Sequence, residues 1–150
     1  MREAIGGAIV LKVALIFIVV INAYLALSVN YSKAFKVKNR VISLLEQYES
    51  YGNASGKIEE YLDGVNYLAN ITCPTGFSKV DSGRGVCGRM IVNDNSKGYY
   101  YQVITYINLS NIPLLGGILA NLQNNPFAIK GETKTIYGEA PIDNWNSPRI

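Results

Sequence analysis

The chain has 150 residues, of which 49% are hydrophobic and 17% charged, and its mean hydropathy is +0.11. That is the usual length of one domain with ample material for a core, which excludes a disordered chain. Fourteen Lys and Arg against eleven Asp and Glu leave a net charge of only +3, scattered except for Lys33, Lys36, Lys38 and Arg40, so no nucleic-acid partner is implied.

The apolar residues concentrate between Ala4 and Val29, a run without Asp, Glu or Pro whose one basic residue is Lys12. As a helix it is about 39 Å long at 1.5 Å per residue, enough to cross a bilayer core of about 30 Å. Neither Gly nor Pro occurs from Asn30 to Tyr51, and the first breakers are Gly52-Asn53 and Ser55-Gly56. One helix is therefore expected from about residue 3 to about residue 51, followed by a linker at Gly52–Gly56. In its second half Ala34, Val37, Val41, Leu44, Tyr48 and Tyr51 recur at spacings of three and four, a stripe that packs a core. Residues 1–30 thus read as a half suited to lipid or a helical bundle, and residues 31–150 as a head that includes the amphipathic half of the helix.

Glu3, Lys12 and Asn22 interrupt the apolar half, and each is costly against lipid. At about 100° per residue, Glu3 and Lys12 face opposite ways on one helix and lie about 13.5 Å apart along it. They cannot pair within the chain. Either Lys12 snorkels toward the headgroups, or each charge meets its partner on a neighbouring copy, which the small residues Ala4, Gly6, Gly7 and Ala8 let approach closely. Asn22 is a candidate polar contact in such a bundle.

A cleavable signal peptide competes with the anchor, with Val13–Leu27 as its apolar region and Ala26-Leu27-Ser28 as a cleavage site. The basic cluster after the apolar run favours a cytoplasmic head by the positive-inside rule. The cysteines and the Asn-, Ser- and Thr-rich composition favour export. Export is the reading adopted, because a helical spine also accounts for the four basic residues.

Beyond the spine, Ile58, Tyr61, Leu62, Val65 and Leu68 mark a short helix carrying Glu59, Glu60 and Asp63, which read as a solvated face. Histidine is absent, which removes the commonest general base and metal ligand, and no catalytic cluster emerges. Neither an enzyme nor a cofactor nor a metal site is expected. Cys73 and Cys87 cannot form a zinc site without histidine and are too far apart for a redox pair, so a structural disulfide is expected, with two free buried thiols as the alternative. Gly83-Arg84-Gly85-Val86-Cys87-Gly88 matches a dinucleotide-binding pattern, but a polar loop precedes it and strand-like Met90-Ile91-Val92 follows, the wrong context. Asn93–Gly98 reads as a hairpin turn rather than a calcium loop.

Tyr99–Ser110 and Phe127–Tyr137 are the clearest strands. In the second, Lys130, Glu132 and Lys134 alternate with Ile129, Gly131, Thr133 and Thr135, as in a sheet with one wet face; in the first, Tyr101, Val103, Ile107 and Leu109 share a face with Thr105 as the exception. Between them, apolar Ile112–Leu119 is either a helical turn capping the core or an exposed contact surface. The tail from Ala140 to Ile150, with the only Trp, reads as irregular and weakly packed.

A long helix, apolar and then amphipathic, ahead of a small antiparallel sheet and a disulfide loop is an α+β, pilin-like build. The start Met1-Arg2-Glu3-Ala4-Ile5-Gly6-Gly7, the passage Lys38-Asn39-Arg40-Val41-Ile42 and the closing Lys130-Gly131-Glu132-Thr133-Lys134-Thr135-Ile136-Tyr137 resemble TadE-like, type IV pilin-related proteins of tight-adherence-type loci in Gram-positive bacteria. The resemblance implies a single-pass membrane subunit with an exported head, which later joins an extracellular filament whose core is the bundled helices. Its implied partners are copies of itself or related pilin-like subunits, membrane lipid before assembly, and the pilus assembly machinery. Glu3 takes the place of the pilin glutamate near the mature amino terminus. Cleavage after Gly7 would put Lys12 at the fifth mature position, where pilins carry that glutamate, so prepilin-type processing is not expected. A bitopic binding domain that does not polymerise is the alternative.

Overall fold

A computed structural model describes residues 2–67, 71–80, 82, 84–93, 97–107, 127–142 and 145. Helix α1 runs unbroken from Arg2 to Tyr48. Its second half buries Ala34, Val37, Val41 and Leu44 together with Leu45, while Lys36, Asn39, Arg40 and Ser43 face outward. The amphipathic spacing thus marks the face that packs.

The helix ends before the glycines, which corrects the expected linker. Glu49 adopts a left-handed φ of 58°, and Ser50 caps a second helix, α2 (Tyr51–Gly64), by accepting a hydrogen bond from the Asn53 N–H at 3.1 Å. Gly52 and Gly56 therefore lie inside a helix. The elbow is held from the sheet. The Tyr99 hydroxyl donates to the Glu49 carbonyl at 2.6 Å, and the Tyr51 N–H donates to the Tyr101 hydroxyl at 3.3 Å. A serine cap plus two tyrosine hydroxyls outweigh the modest cost of glycine within a helix. Helix α2 then buries Tyr51, Ala54, Ile58 and Leu62.

Among the described residues the sheet contains β1 (Ser78–Lys79), β2 (Val86–Asn93), β3 (Gly98–Tyr106), β4 (Ala128–Glu132) and β5 (Ile136–Tyr137), all paired antiparallel. The order is β1-β2-β3-β4, with β5 also on β3. Pairing of Asn93 with Gly98 forms the expected hairpin, although residues 94–96 lie outside the described part. A strand, not a helix, follows Gly85, so the glycine-rich stretch is no dinucleotide loop.

The expected strand Phe127–Tyr137 is split in two. Thr133 donates its N–H to the Tyr101 carbonyl at 2.9 Å, and its hydroxyl accepts from the Tyr101 N–H at 2.9 Å. One side chain thus replaces a carbonyl of the ladder, and the next residue turns toward α1, where the Lys134 N–H donates to Glu46 Oε1 at 2.8 Å. Lys130, Glu132 and Lys134 are exposed as their alternation predicts, but so is Thr135.

Helix α1 lies across β3 and β4. The Thr105 hydroxyl is fully buried and donates to the Ala34 carbonyl at 3.0 Å, which explains a polar residue on the apolar face. At Gly131 the approach is close, since a Cβ would stand 2.8 Å from Ile42 Cδ1 and 2.9 Å from Lys38 Cδ, and these side-chain ends would have to move aside. On the opposite face Arg89, Gln102 and Glu132 form a polar row across three strands, at 2.7 and 2.6 Å.

Residues 140–142 have no regular structure and Ile142 is exposed, as expected of the tail, but Trp145 departs from that expectation. Its ring is 1% exposed, stacks on Tyr51 at 4.0 Å between centroids and fills the space that the absent side chain of Gly88 leaves. Leu68, Leu109, the connector Ile112–Leu119 and the remainder of the tail beyond Ile142 lie outside the described residues.

Tyr67 closes the end of β3. Its hydroxyl donates to the Tyr106 carbonyl at 2.6 Å and accepts from the Tyr106 N–H at 2.9 Å, standing in for a neighbouring strand. Burial pushes its pKa from 10.0 up to about 12. The folded state thus favours the neutral phenol, a contribution complete below pH 10 and lost as the pH rises through about 12. Tyr67→Phe leaves both groups of Tyr106 short of a partner, at about 1–3 kcal/mol. Urea titrations across that pH range should show lower stability for the variant at neutral pH and a shallower alkaline decline.

Candidate membrane and assembly surface

Every residue of α1 from Gly6 to Asn22 is exposed, so a continuous apolar cylinder projects from the head. Among the described residues this is the one helix long and apolar enough to cross a membrane. The first residue of α1 buried in the head is Ala34, with Leu27 half-buried against the same core. The apolar cylinder and the spine of the head belong to one unbroken helix.

The polar residues on the cylinder are placed as follows. Lys12 is exposed, and no ion pair reaches it among the described residues. The backbone of Glu3 belongs to α1, while its side chain lies outside the described part. Continuity of the helix places the two residues on opposite faces, about 13.5 Å apart along the axis. Asn22 donates its amide to the Ile18 carbonyl at 2.7 Å, and Asn30 does the same to Ala26 at 3.0 Å. Each asparagine thereby satisfies part of its own amide within the helix, which lowers its cost in an apolar setting. Among the described residues nothing beyond the helix's own backbone stands within 4 Å of where a side chain would begin at Gly6 or Gly7.

The basic cluster is divided. Lys33 donates to the Asn66 carbonyl at 3.0 Å, tying α1 to the end of α2, and the Lys38 ammonium lies 4.4 Å from the centroid of Phe35. Lys36 and Arg40 face outward.

Cys73 and Cys87 are joined in a disulfide with their Cα atoms 5.7 Å apart. The bond fastens the segment before β1 to β2, and Cys87 is itself fully buried. A closed loop of this length contributes about 3 kcal/mol. Cys73→Ser/Cys87→Ser should lower the denaturation midpoint accordingly, and dithiothreitol should destabilise the parent chain but not that variant.

The carboxylates of α2 are engaged separately. Glu59 accepts from the Ser82 N–H at 2.6 Å, Glu60 pairs with Lys57 at 2.9 Å, and Asp63 pairs with Arg84. The hydrogen bond between Lys57 and Glu60 raises the ammonium and lowers the carboxyl relative to their ordinary values. All remain exposed or half-exposed, and no group of three potential ligands gathers among the described residues.

An open apolar groove of about 430 Å³ lies where the cylinder meets the head, lined by Tyr24, Leu27, Tyr31, Ile107, Phe127 and Ile129, among others. Its walls come from α1 and from residues at the ends of β3 and β4, far apart in the chain, so no local sequence pattern marks it. No family model, curated protein or solved structure matches this chain.

Proposed function

We infer that the protein is a pilin-like structural subunit, held in the membrane by the first half of α1 and assembled through that half into a surface filament. The observation that carries this reading is the continuity of one helix whose exposed apolar half runs directly into the spine of a folded head. Such a cylinder has two chemically equivalent resting places, lipid and a bundle of like helices. The open glycines, and a Lys12 that no ion pair reaches among the described residues, suit the second. The disulfide supports an exported head, since such bonds persist in oxidising compartments.

Electron microscopy of sheared cell-surface material, with mass spectrometry of its subunits, tests the proposal. Filaments containing this chain are expected. A chain that stays monomeric in detergent and never enters the sheared fraction would instead be a bitopic binding domain.

A further inference from the structure

We propose that, before assembly, the head is seated in the headgroup layer of the bilayer, with the groove and its aromatic rim as the lipid-contacting surface. The inference rests on the membrane anchoring proposed above and adds where the head stands. Gly6 to Tyr24 covers about 27 Å of helix, close to the hydrocarbon thickness of about 30 Å. With Tyr24 at that boundary, Tyr31 lies about 10 Å higher, just beyond a headgroup layer of roughly 5–7 Å. The groove between them therefore falls within the headgroups.

Its chemistry suits that depth. Tyr24, Tyr31 and Phe127 are 69%, 50% and 57% exposed around an apolar floor, whereas Tyr51, Tyr101 and Trp145 are buried in the core of the head. Exposed rings at one level beside a transmembrane segment are the usual interfacial anchors. Lys33 and Lys36 stand about 13 and 18 Å above Tyr24 along the helix, within about a Debye length of the headgroup surface. Exposed Lys130 lies two residues beyond Ala128 of the groove. Positive charge above an aromatic rim complements an anionic phospholipid surface.

The far end of the head provides an internal control. Tyr137 is 79% exposed and sits on β5, which pairs with Gly98 and Tyr99 beside the elbow at Glu49. Ala34 and Glu49 are separated by about 22 Å of helix, so Tyr137 stands well clear of the bilayer.

The test uses the full chain in vesicles of phosphatidylcholine and phosphatidylglycerol, brominated in one set near the headgroup and in another near the end of the acyl chains, with Leu15→Trp, Phe127→Trp and Tyr137→Trp compared against the parent signal of Trp145. Quenching of Leu15→Trp by the deep bromine and of Phe127→Trp by the headgroup bromine, each several-fold stronger than that of Tyr137→Trp, is expected, with Phe127→Trp responding further to added phosphatidylglycerol. Quenched Leu15→Trp with Phe127→Trp as silent as Tyr137→Trp overturns the seat and leaves the anchor standing. Leu15→Trp left unquenched by the deep bromine overturns the anchor itself, and quenching of Phe127→Trp indifferent to phosphatidylglycerol overturns the role of the lysines.

Discussion

Lys12→Gln should leave the chain inserted in the membrane and remove its filaments from the cell surface. In lipid, a lysine near one end of the span can extend its ammonium toward the headgroups, so the anchored subunit tolerates either residue. A bundle core offers no such exit. There the ammonium needs a carboxylate, and the Glu3 of its own helix faces the other way, about 13.5 Å along the axis. A subunit displaced by that distance brings its Glu3 level with the Lys12 of its neighbour. Removing one member of a buried pair strands the other at about 3–5 kcal/mol. The penalty recurs at every subunit contact, so assembly should fail rather than weaken. Glu3→Gln should fail in the same way, and the charge-swapped double variant Glu3→Lys/Lys12→Glu should recover part of the filament. Microscopy of sheared material reads assembly, and fractionation with alkaline extraction reads insertion. Normal filaments from Lys12→Gln would mean that the lysine snorkels and pairs with nothing.

The largest effect on the stability of the head should come from Trp145→Ala, at about 3–5 kcal/mol. The indole stacks on Tyr51, meets Tyr101 edge-on at 6.2 Å and donates to the Lys79 carbonyl at 3.3 Å. Its own carbonyl accepts from the Met90 N–H at 2.7 Å, so residue 145 is tied to β2 through its backbone as well. A domain of this size is stable by about 5–15 kcal/mol, and the loss is a large share of that. Denaturant titration followed by circular dichroism measures it directly. Gly88→Ala should act through the same contact, because its Cβ would stand 2.0 Å from Trp145 Cζ3 and must expel the ring. The two changes should therefore be less than additive in combination, whereas independent sites add. Additivity would show that the indole and the glycine act separately.

Periodic patterns in the chain were sufficient for its main elements. The three-and-four spacing of Ala34, Val37, Val41 and Leu44 identifies the packed face of α1, and alternation of Lys130, Glu132 and Lys134 identifies the wet side of the sheet. These signals are legible because burial of a helix or strand face is a periodic property of neighbouring residues. Cys73 and Cys87 were legible as a pair because no other thiol or histidine competes for either. The candidate groove was not, since Tyr24 and Tyr31 meet Ile107 and Phe127 only when α1 lies across β3 and β4.

The same limit explains the three misread places. Gly52 and Gly56 look like a linker by local propensity, but the break falls at Glu49 and Ser50, where hydroxyls of Tyr99 and Tyr101 satisfy backbone groups fifty residues away in sequence. Thr133 reads as one more strand residue until its hydroxyl takes a carbonyl's place opposite Tyr101. Trp145 sits in a stretch with proline and asparagine that suggests a loose tail, yet it fills the space left by Gly88. Local composition settles which segments become helix or strand and which of their faces turn inward. Where a helix stops, where a strand splits and which distant side chain completes the core depend on single hydrogen bonds and one vacant Cβ position, and those partners exist only after the chain has folded.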